Sequence, residues 1–165
     1  MDSKCENIIE VGEGPSVCAP PEKPAEHHAS SVLEESAYGI KIWVQKPFDE
    51  ALSLVKSELK QGKFDILSEI DVREMFQNEL NIKFPHYIIL GVCNAQLGHQ
   101  ALELDRDIGL LMPCNFVVYE QSGGTIVEAV DPIAQFSIAG GTDLQNLARL
   151  IKQRFQDVIN RVAAG

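Results

Sequence analysis

A strand pair joined by a short turn is the strongest constraint on the fold of this chain. The segments NFVVYEQ (115–121) and TIVEAVD (125–131) have the composition of strands, and Ser122-Gly123-Gly124 between them is a hairpin signal. A hairpin makes its two strands antiparallel, which a purely parallel, doubly wound sheet does not allow. With helical segments before and after the hairpin, the sequence favours the α+β class.

Strand-like and helix-like patterns alternate before the hairpin. YGIKIWVQ (38–45) alternates as a half-buried strand does, FDILSEI (64–70) has strand composition, and YIILGV (87–92) is apolar on both faces, as in a central strand. A helix is predicted after the first strand, with Pro47 as its first residue and Gly62 as a left-handed residue at its end.

Capping residues predict where the other helices begin. Asp71 with Glu74 and Thr142 with Gln145 have the spacing of a capping box, and Asn94 is a good N-cap for a helix over roughly 95–105. The last helix has an apolar stripe along one face that is typical of a core helix. We therefore predict one five-stranded, mostly antiparallel sheet packed against two longer helices, with short helical insertions.

The charge is concentrated near the N-terminus and predicts a boundary. Residues 1–36 contain eight acidic and two basic side chains, which is −6 of the net −10, and four of the eight prolines. Such a stretch buries too little apolar surface to offset its chain entropy. We predict an acidic, flexible tail over 1–35 and a single domain over 36–165. The tail residues Cys5, Cys18, His27 and His28 match no short-loop zinc spacing.

Composition also limits the partners. A net charge of −10 argues against nucleic acid and anionic membrane surfaces, because binding phosphates requires clustered basic residues. No apolar run approaches roughly 20 residues, and the N-terminal residues, without a basic start followed by an apolar core, do not resemble a secretion signal. Gly140-Gly141 lacks the Lys and Ser/Thr of a P-loop. We expect a cytoplasmic protein with reduced thiols.

Several motifs occur together in one order: LSEIDVREMF, YIILGVCNAQLGHQALELDRDIGLLMPCNFVVYE and VEAVDP. In this respect the chain, from Tyr38 to Val162, resembles the domain of unknown function 302 family. The resemblance implies a β-α-β(4)-α fold with a curved sheet, similar to the TATA-box-binding-protein class, and a homodimer. Similarity of fold does not imply DNA binding. Where the family has proline after Cys-Asn, this chain has Ala95, which should keep the helix but loosen its start.

Three residues of one segment form the candidate site. Cys93 ends a central strand next to the N-cap Asn94, where backbone N–H groups and the helix dipole favour a thiolate. Cys114 begins the next strand, so the two thiols would approach each other if these strands are neighbours. His99 lies about a turn and a half into the helix after Cys93.

Several functions are compatible with these residues. The first is a small-ligand-binding or sensory module, without turnover, whose site is at Cys93, Asn94 and Cys114. The second is a thiol-redox protein, or a soft-metal or haem protein using Cys93, His99 and Cys114 as ligands. In the third, both cysteines are small buried side chains that only pack.

Other candidates have simpler explanations. Glu69 and Asp71 have the spacing of an acid/base pair, but Asp71 is better explained as a helix cap. Ser122 and Asp131-Pro132 are typical of turns, and His86 of a loop. Trp43 faces the side of its strand opposite Ile42, and we predict that it marks a dimerisation surface.

Overall fold

A computed structural model describes residues 32–165, which form one antiparallel sheet with helices packed on it. The strand order is β1-β2-β6-β5-β4-β3, and every neighbouring pair is antiparallel. The predicted α+β class and the β-α-β(4)-α order are confirmed. The strands are β1 Glu34–Glu35, β2 Gly39–Val44, β3 Asp65–Asp71, β4 Tyr87–Cys93, β5 Cys114–Gln121 and β6 Gly124–Val130.

Five α-helices and one 3-10 helix complete the described part of the chain. They are α1 Phe48–Gln61, α2 Val72–Leu80, α3 Ala95–Leu104, the 3-10 helix Arg106–Leu111, α4 Pro132–Phe136 and α5 Thr142–Ala164. The two longest, α1 and α5, contact each other and the sheet. Phe155 of α5 lies at the centre of the core, with its ring 5.0 Å from that of Phe64 and 4.8 Å from that of Phe116.

The hairpin between β5 and β6 has the predicted turn. Gln121 pairs with Gly124, and the two residues between them, Ser122 and Gly123, have φ of 53° and 76°. Two successive positive φ values define a type I′ turn, whose twist matches that of the flanking strands.

Two of the three predicted caps are confirmed. The Asp71 carboxylate accepts a hydrogen bond from the backbone N–H of Glu74 at 2.9 Å, and the Asn94 side chain accepts one from Leu97 at 3.1 Å. Helix α3 thus begins as predicted, with Ala95 as its first residue. The predicted Thr142 capping box is wrong. The N-cap is Gly141, with φ of 81°, and a glycine has no side chain with which to cap the helix.

The ends of α1 also differ from the prediction. Pro47 is the N-cap and not the first helical residue. Gly62 has φ of −71°, and Lys63 instead adopts the left-handed conformation with φ of 62°. A glycine near a helix end is therefore not always the residue that reverses the chain.

A short helix begins directly after Asp131, where the sequence predicted only a turn. The Asp131 carboxylate caps the short helix α4 by accepting from the N–H of Ile133 at 2.8 Å, with Pro132 as the first helical residue. The same carboxylate accepts from Lys152 Nζ at 2.9 Å, and Lys152 also contacts Glu35 at 3.1 Å. The raised pKa of Lys152 reflects these partners, with the Asp131 hydrogen bond first.

The sheet has six strands and not five because Glu34 and Glu35 pair with β2. These two residues belong to the stretch predicted as a tail. Its other residues up to 31, with Cys5, Cys18, His27 and His28, lie outside the described residues. Among residues 32–165, no helix combines the length and apolarity that crossing a bilayer requires.

Candidate functional site

The two core cysteines lie at the same end of two paired strands. Val92 of β4 pairs with Cys114 of β5, so Cys93 is one residue beyond the partner of Cys114. Both residues line one cavity, and both are free thiols. The antiparallel register therefore places at one end of the strand pair two residues that are separated by 20 others in the sequence.

The cavity that they line is small and almost wholly apolar. Its volume is about 20 Å³, which corresponds to roughly one water molecule. Helices α3 and α5 cover it, and its apolar lining includes Phe64, Leu97, Ala101, Phe136, Ile151 and Phe155. A space of this size and polarity suits one soft atom better than an organic molecule.

Asn94, which also lines the cavity, holds the start of α3 through two hydrogen bonds. Its side-chain oxygen caps α3, and its side-chain amide donates to the carbonyl oxygen of Lys63 at 2.7 Å. The residue is buried, at 6% exposure. Because both polar atoms already have protein partners, Asn94 fixes the start of α3, and thereby the position of Cys93.

A third sulfur-bearing side chain lies at the cavity. Met112, just before β5, lines it together with the cysteines. A β-carbon built on Gly98 would lie 2.9 Å from Cys93 Sγ and 3.1 Å from Met112 Cε. Cys93 and Met112 therefore approach each other across the bare backbone of Gly98 in α3.

Both thiols favour their protonated form. Burial, with a smaller effect of the Asp65 carboxylate, raises the pKa of Cys93. Burial, followed by the nearby Cys93, raises the pKa of Cys114 to about 12. The predicted stabilisation of a Cys93 thiolate by the helix N-terminus is thus outweighed by desolvation.

The Cys114 thiol has a hydrogen-bond partner in α4. The Cys114 thiol donates to Gln135 Oε1 at 3.3 Å, and Gln135 is itself fixed because its amide donates to the carbonyl of Leu111 at 2.6 Å. The amide of Gln135 is thus oriented by one contact and accepts from the thiol through the other.

His99 does not join the thiols. Its side chain is 75% exposed on the outer face of α3, where Nε2 lies 3.9 Å from Glu103 Oε1, and it does not line the cavity. Among the described residues, no group of three or more His, Cys, Asp or Glu side chains is arranged to hold a metal ion. The predicted Cys93, His99 and Cys114 set does not converge in this structure.

The remaining candidates have structural partners. Glu69 forms an ion pair with Lys56 at 2.8 Å, while Asp71 caps α2. The His86 ring stacks on that of Phe48 at 4.8 Å. Ser122 is a turn residue, as predicted.

The sheet face opposite α1 and α5 is largely apolar and only half-buried. Trp43 lies on this face as predicted; its indole N–H donates to the Gln121 carbonyl at 3.2 Å, and its ring covers Gly124. The rings of Tyr87 and Tyr119 stack at 5.1 Å on the same face. We call this surface the open face; it also includes Ile89, Val117, Glu128 and Val130.

Glu128 is the unusual member of the open face. Burial raises the pKa of its carboxyl, an effect that Lys41 partly opposes from the paired position on β2. The carboxylate lies directly against the backbone of Gly39. A carboxylate at the centre of an apolar surface is the position most affected by any partner that covers it.

Sequence reasoning missed Met112, Gly98 and Glu128, of which only Gly98 and Glu128 leave a signal in the sequence. A glycine inside the helical pattern of 95–105 indicates close approach by a neighbouring group. Glu128 interrupts an otherwise apolar outward-facing set on β6. Met112 gives no local signal, because its neighbours in space come from α3 and β4.

The open antiparallel sheet with helices on one face defines a small α+β domain with an internal, sulfur-lined cavity. The chain belongs to the DUF302 family, described as a domain of unknown function, whose model matches residues 40–162. A solved structure, the uncharacterized conserved protein DUF302 from Bacillus stearothermophilus, superposes with a TM-score of 0.73 at 25% identity. The match covers 77% of this chain and 99% of the other. No curated protein matches the sequence.

Proposed function

We propose that this protein is a homodimeric binding or sensory module without turnover, whose ligand occupies the cavity beside Cys93, Asn94 and Cys114. The observation that carries the proposal is that two cysteines from neighbouring strands line the same small cavity. The two carboxylates that the sequence offered as an acid/base pair have structural partners, since Glu69 pairs with Lys56 and Asp71 caps α2.

The cavity restricts the ligand to one or a few atoms. A volume of about 20 Å³ is far below the several hundred Å³ of pockets that hold organic cofactors. A haem does not fit such a space, so the haem alternative loses support. Ordinary thiol-redox chemistry also loses support, because an attacking thiol needs a lowered pKa and burial raises that of both cysteines.

A second copy of the chain is the occupant that we propose for the open face. One-sided burial is common in antiparallel sheets, but here the remaining face has aromatic and aliphatic side chains such as Trp43, Tyr119 and Val117. Aromatic residues are enriched in interface cores, and a self-complementary patch gives a two-fold dimer. The dimer would bury Trp43, as the sequence predicts.

The cavity proposal is tested by amide NMR of the full chain with two small probes, hydrogen sulfide and Cu(I). Binding predicts saturable shifts at the amides of Leu97, Gly98 and Ala101, because these residues line the cavity. The Cys93→Ser/Cys114→Ser double variant should show none. If neither probe produces saturable shifts at these amides, or if the double variant responds equally, the proposed function is wrong.

A further inference from the structure

We propose that the charge on Glu128 controls the association of two chains through the open face, so that the dimer tightens as the pH falls and weakens as the pH rises. The inference rests on the proposed function, since it assigns a regulation to the dimer surface named there. It makes one carboxyl on that surface the pH-sensitive group.

The position of Glu128 follows from the register of the strands. Glu128 of β6 pairs with Lys41 of β2 on one side and with Val117 of β5 on the other. Val117 pairs in turn with Ile89 of β4, and Ile89 with Ile70 of β3. Residues paired across antiparallel strands lie on the same face of the sheet. The row beyond Glu128 is therefore apolar as far as the edge of the sheet.

The next row toward the hairpin is apolar and aromatic. Ile126, two residues before Glu128, pairs with Trp43 on one side and with Tyr119 on the other, and Tyr119 pairs with Tyr87. A second chain that covers these side chains also covers Glu128 and removes water from its carboxyl. The carboxyl is thus part of the surface that the dimer buries.

The Glu128 carboxylate has no protein donor to replace that water. Within residues 32–165 it accepts no hydrogen bond and forms no ion pair, and it lies against the backbone of Gly39. Lys41 Nζ is instead 3.7 Å from Glu34 Oε2. An ionised carboxylate that loses its water without gaining a donor or an opposite charge is costly, and protonation removes this cost.

The charges of this row also favour association of the protonated form. Glu34, Lys41 and Glu128 follow one another across paired strands, so the row carries two acidic side chains and one basic side chain. Two copies of a chain with a net charge of −10 repel each other. Protonation of Glu128 leaves the row with one acid and one base, and like charges then no longer face each other across the dimer.

The other ionisable groups around Glu128 keep their charge near neutral pH. In the described part of the chain they are Lys41 from β2, Tyr119 from β5 and Tyr87 from β4, with Tyr38 beside the two tyrosines. A lysine is positively charged and a tyrosine neutral from about pH 5 to about pH 8. Burial raises the pKa of Tyr119 to about 12 and also raises the pKa of Tyr87. Burial likewise raises the pKa of Glu128 toward this range, although Lys41 opposes the effect.

The direction of the pH effect follows from proton linkage. A dimer that covers Glu128 binds its proton more tightly than the single chain does, because covering disfavours the charged form. Each chain therefore takes up a proton as the dimer forms. The stabilisation of the dimer is present below the pKa of the single chain and is lost as the pH rises through the pKa in the dimer.

The test is sedimentation equilibrium of the full chain with a reductant and about 0.15 M salt, which screens long-range repulsion. We expect the dissociation constant of the parent dimer to fall at least about tenfold from about pH 7.5 to about pH 5.5. Glu128→Gln is uncharged at both pH values, so it should associate at both about as tightly as the parent does at the lower one. Glu79→Gln, which removes one exposed charge on α2, should keep the pH dependence of the parent.

A measurement on the parent makes the test independent of the variants. NMR of the side-chain carboxyl carbon of Glu128 gives its titration midpoint, which should rise with protein concentration because the dimer holds the proton more tightly. The histidines are present in every variant, so a pH dependence that they cause would persist in Glu128→Gln. Circular dichroism checks that each variant is folded.

Three results would overturn the inference: a midpoint that does not change with concentration, a pH dependence that persists in Glu128→Gln, or a dimer that weakens toward about pH 5.5. The last result would mean that Glu128 is ion-paired across the interface. A dimer of equal affinity at both pH values shows that the pH control is wrong while the proposed dimer stands. If the parent and Glu128→Gln are both monomeric at both pH values, the dimer itself is wrong.

Discussion

Gly98 and Cys93 lie so close that the helix has no room for a side chain between them. A β-carbon at Gly98 would be 2.9 Å from Cys93 Sγ, a separation that real side chains essentially never show. Gly98 is buried in the middle of α3, a position at which glycine lowers helix stability relative to alanine. The absence of a side chain at position 98 therefore allows Cys93 to pack against the helix, although glycine lowers the stability of the helix itself.

Gly98→Ala should lower the free energy of unfolding by about 1–2 kcal/mol, because overpacking outweighs the gain in helix propensity. Urea unfolding followed by circular dichroism measures the change. Gly109→Ala is the control, because the nearest atom to its added carbon is 3.7 Å away, an ordinary contact. A Gly98→Ala variant more stable than the parent would contradict the close contact.

Asn94 should be more costly to remove than an ordinary cap. Asn94→Ala loses the cap of α3 and also leaves the Lys63 carbonyl without its donor, so we expect a loss of about 2–3 kcal/mol. Asn94→Asp keeps the capping oxygen and loses only the donor, so its loss should be smaller. Equal destabilisation of the two variants in chemical unfolding would show that the cap contributes nothing.

The core thiols should react slowly with a maleimide at neutral pH. In the Cys5→Ser/Cys18→Ser background, Cys93 should react faster than Cys114, which is more buried and has a pKa of about 12. Both should react more slowly than the same protein unfolded in urea, because burial raises both pKa values and so reduces the thiolate fraction. Labelling of Cys93 in the folded protein faster than in the unfolded one would restore the redox interpretation.

A charge on the open face should separate the proposed dimer. Val117→Lys places an ammonium among apolar side chains on β5, and we expect the dimer to dissociate at least about tenfold more readily. Sedimentation velocity at several concentrations measures the shift. Leu110→Lys is the matched control, because that side chain is 87% exposed on the 3-10 helix, away from this face. A parent protein that sediments as a monomer would contradict the dimer.

Glu128 should destabilise the fold at neutral pH. Its pKa is raised by burial, so the folded state binds the proton more tightly than the unfolded state does. The associated stability is present below the unfolded pKa and is lost as the pH rises through the folded pKa. Glu128→Gln should therefore be more stable than the parent at about pH 7.5, and the gain should shrink toward about pH 5.

Glu79→Gln, at an exposed position on α2, controls for the general effect of removing one negative charge. Thermal unfolding of the three proteins at both pH values gives the comparison. A Glu128→Gln variant that behaves as Glu79→Gln does at every pH would show that the carboxyl on the open face is not desolvated.

Most of the fold could be predicted because its signals are local. The alternation in YGIKIWVQ, the capping side chains of Asp71 and Asn94 and the hairpin glycines act on neighbouring backbone groups, so the sequence alone specifies them. The prediction was wrong at two helix ends. The N-cap of α5 is Gly141 and not Thr142, and the left-handed residue after α1 is Lys63 and not Gly62. Strand β1 was missed because two residues are too short to show a period.

The sequence by itself determined the α+β order of elements and the presence of two thiols at strand ends. Only the tertiary structure decided which side chains meet them. The register of β4 against β5 places Cys93 and Cys114 at the same end of the sheet, beside one cavity, and the rotation of α3 turns Gly98 inward and His99 outward. Such choices depend on how whole elements pack, because a side chain's direction in space is set by the element that carries it and not by its sequence neighbours.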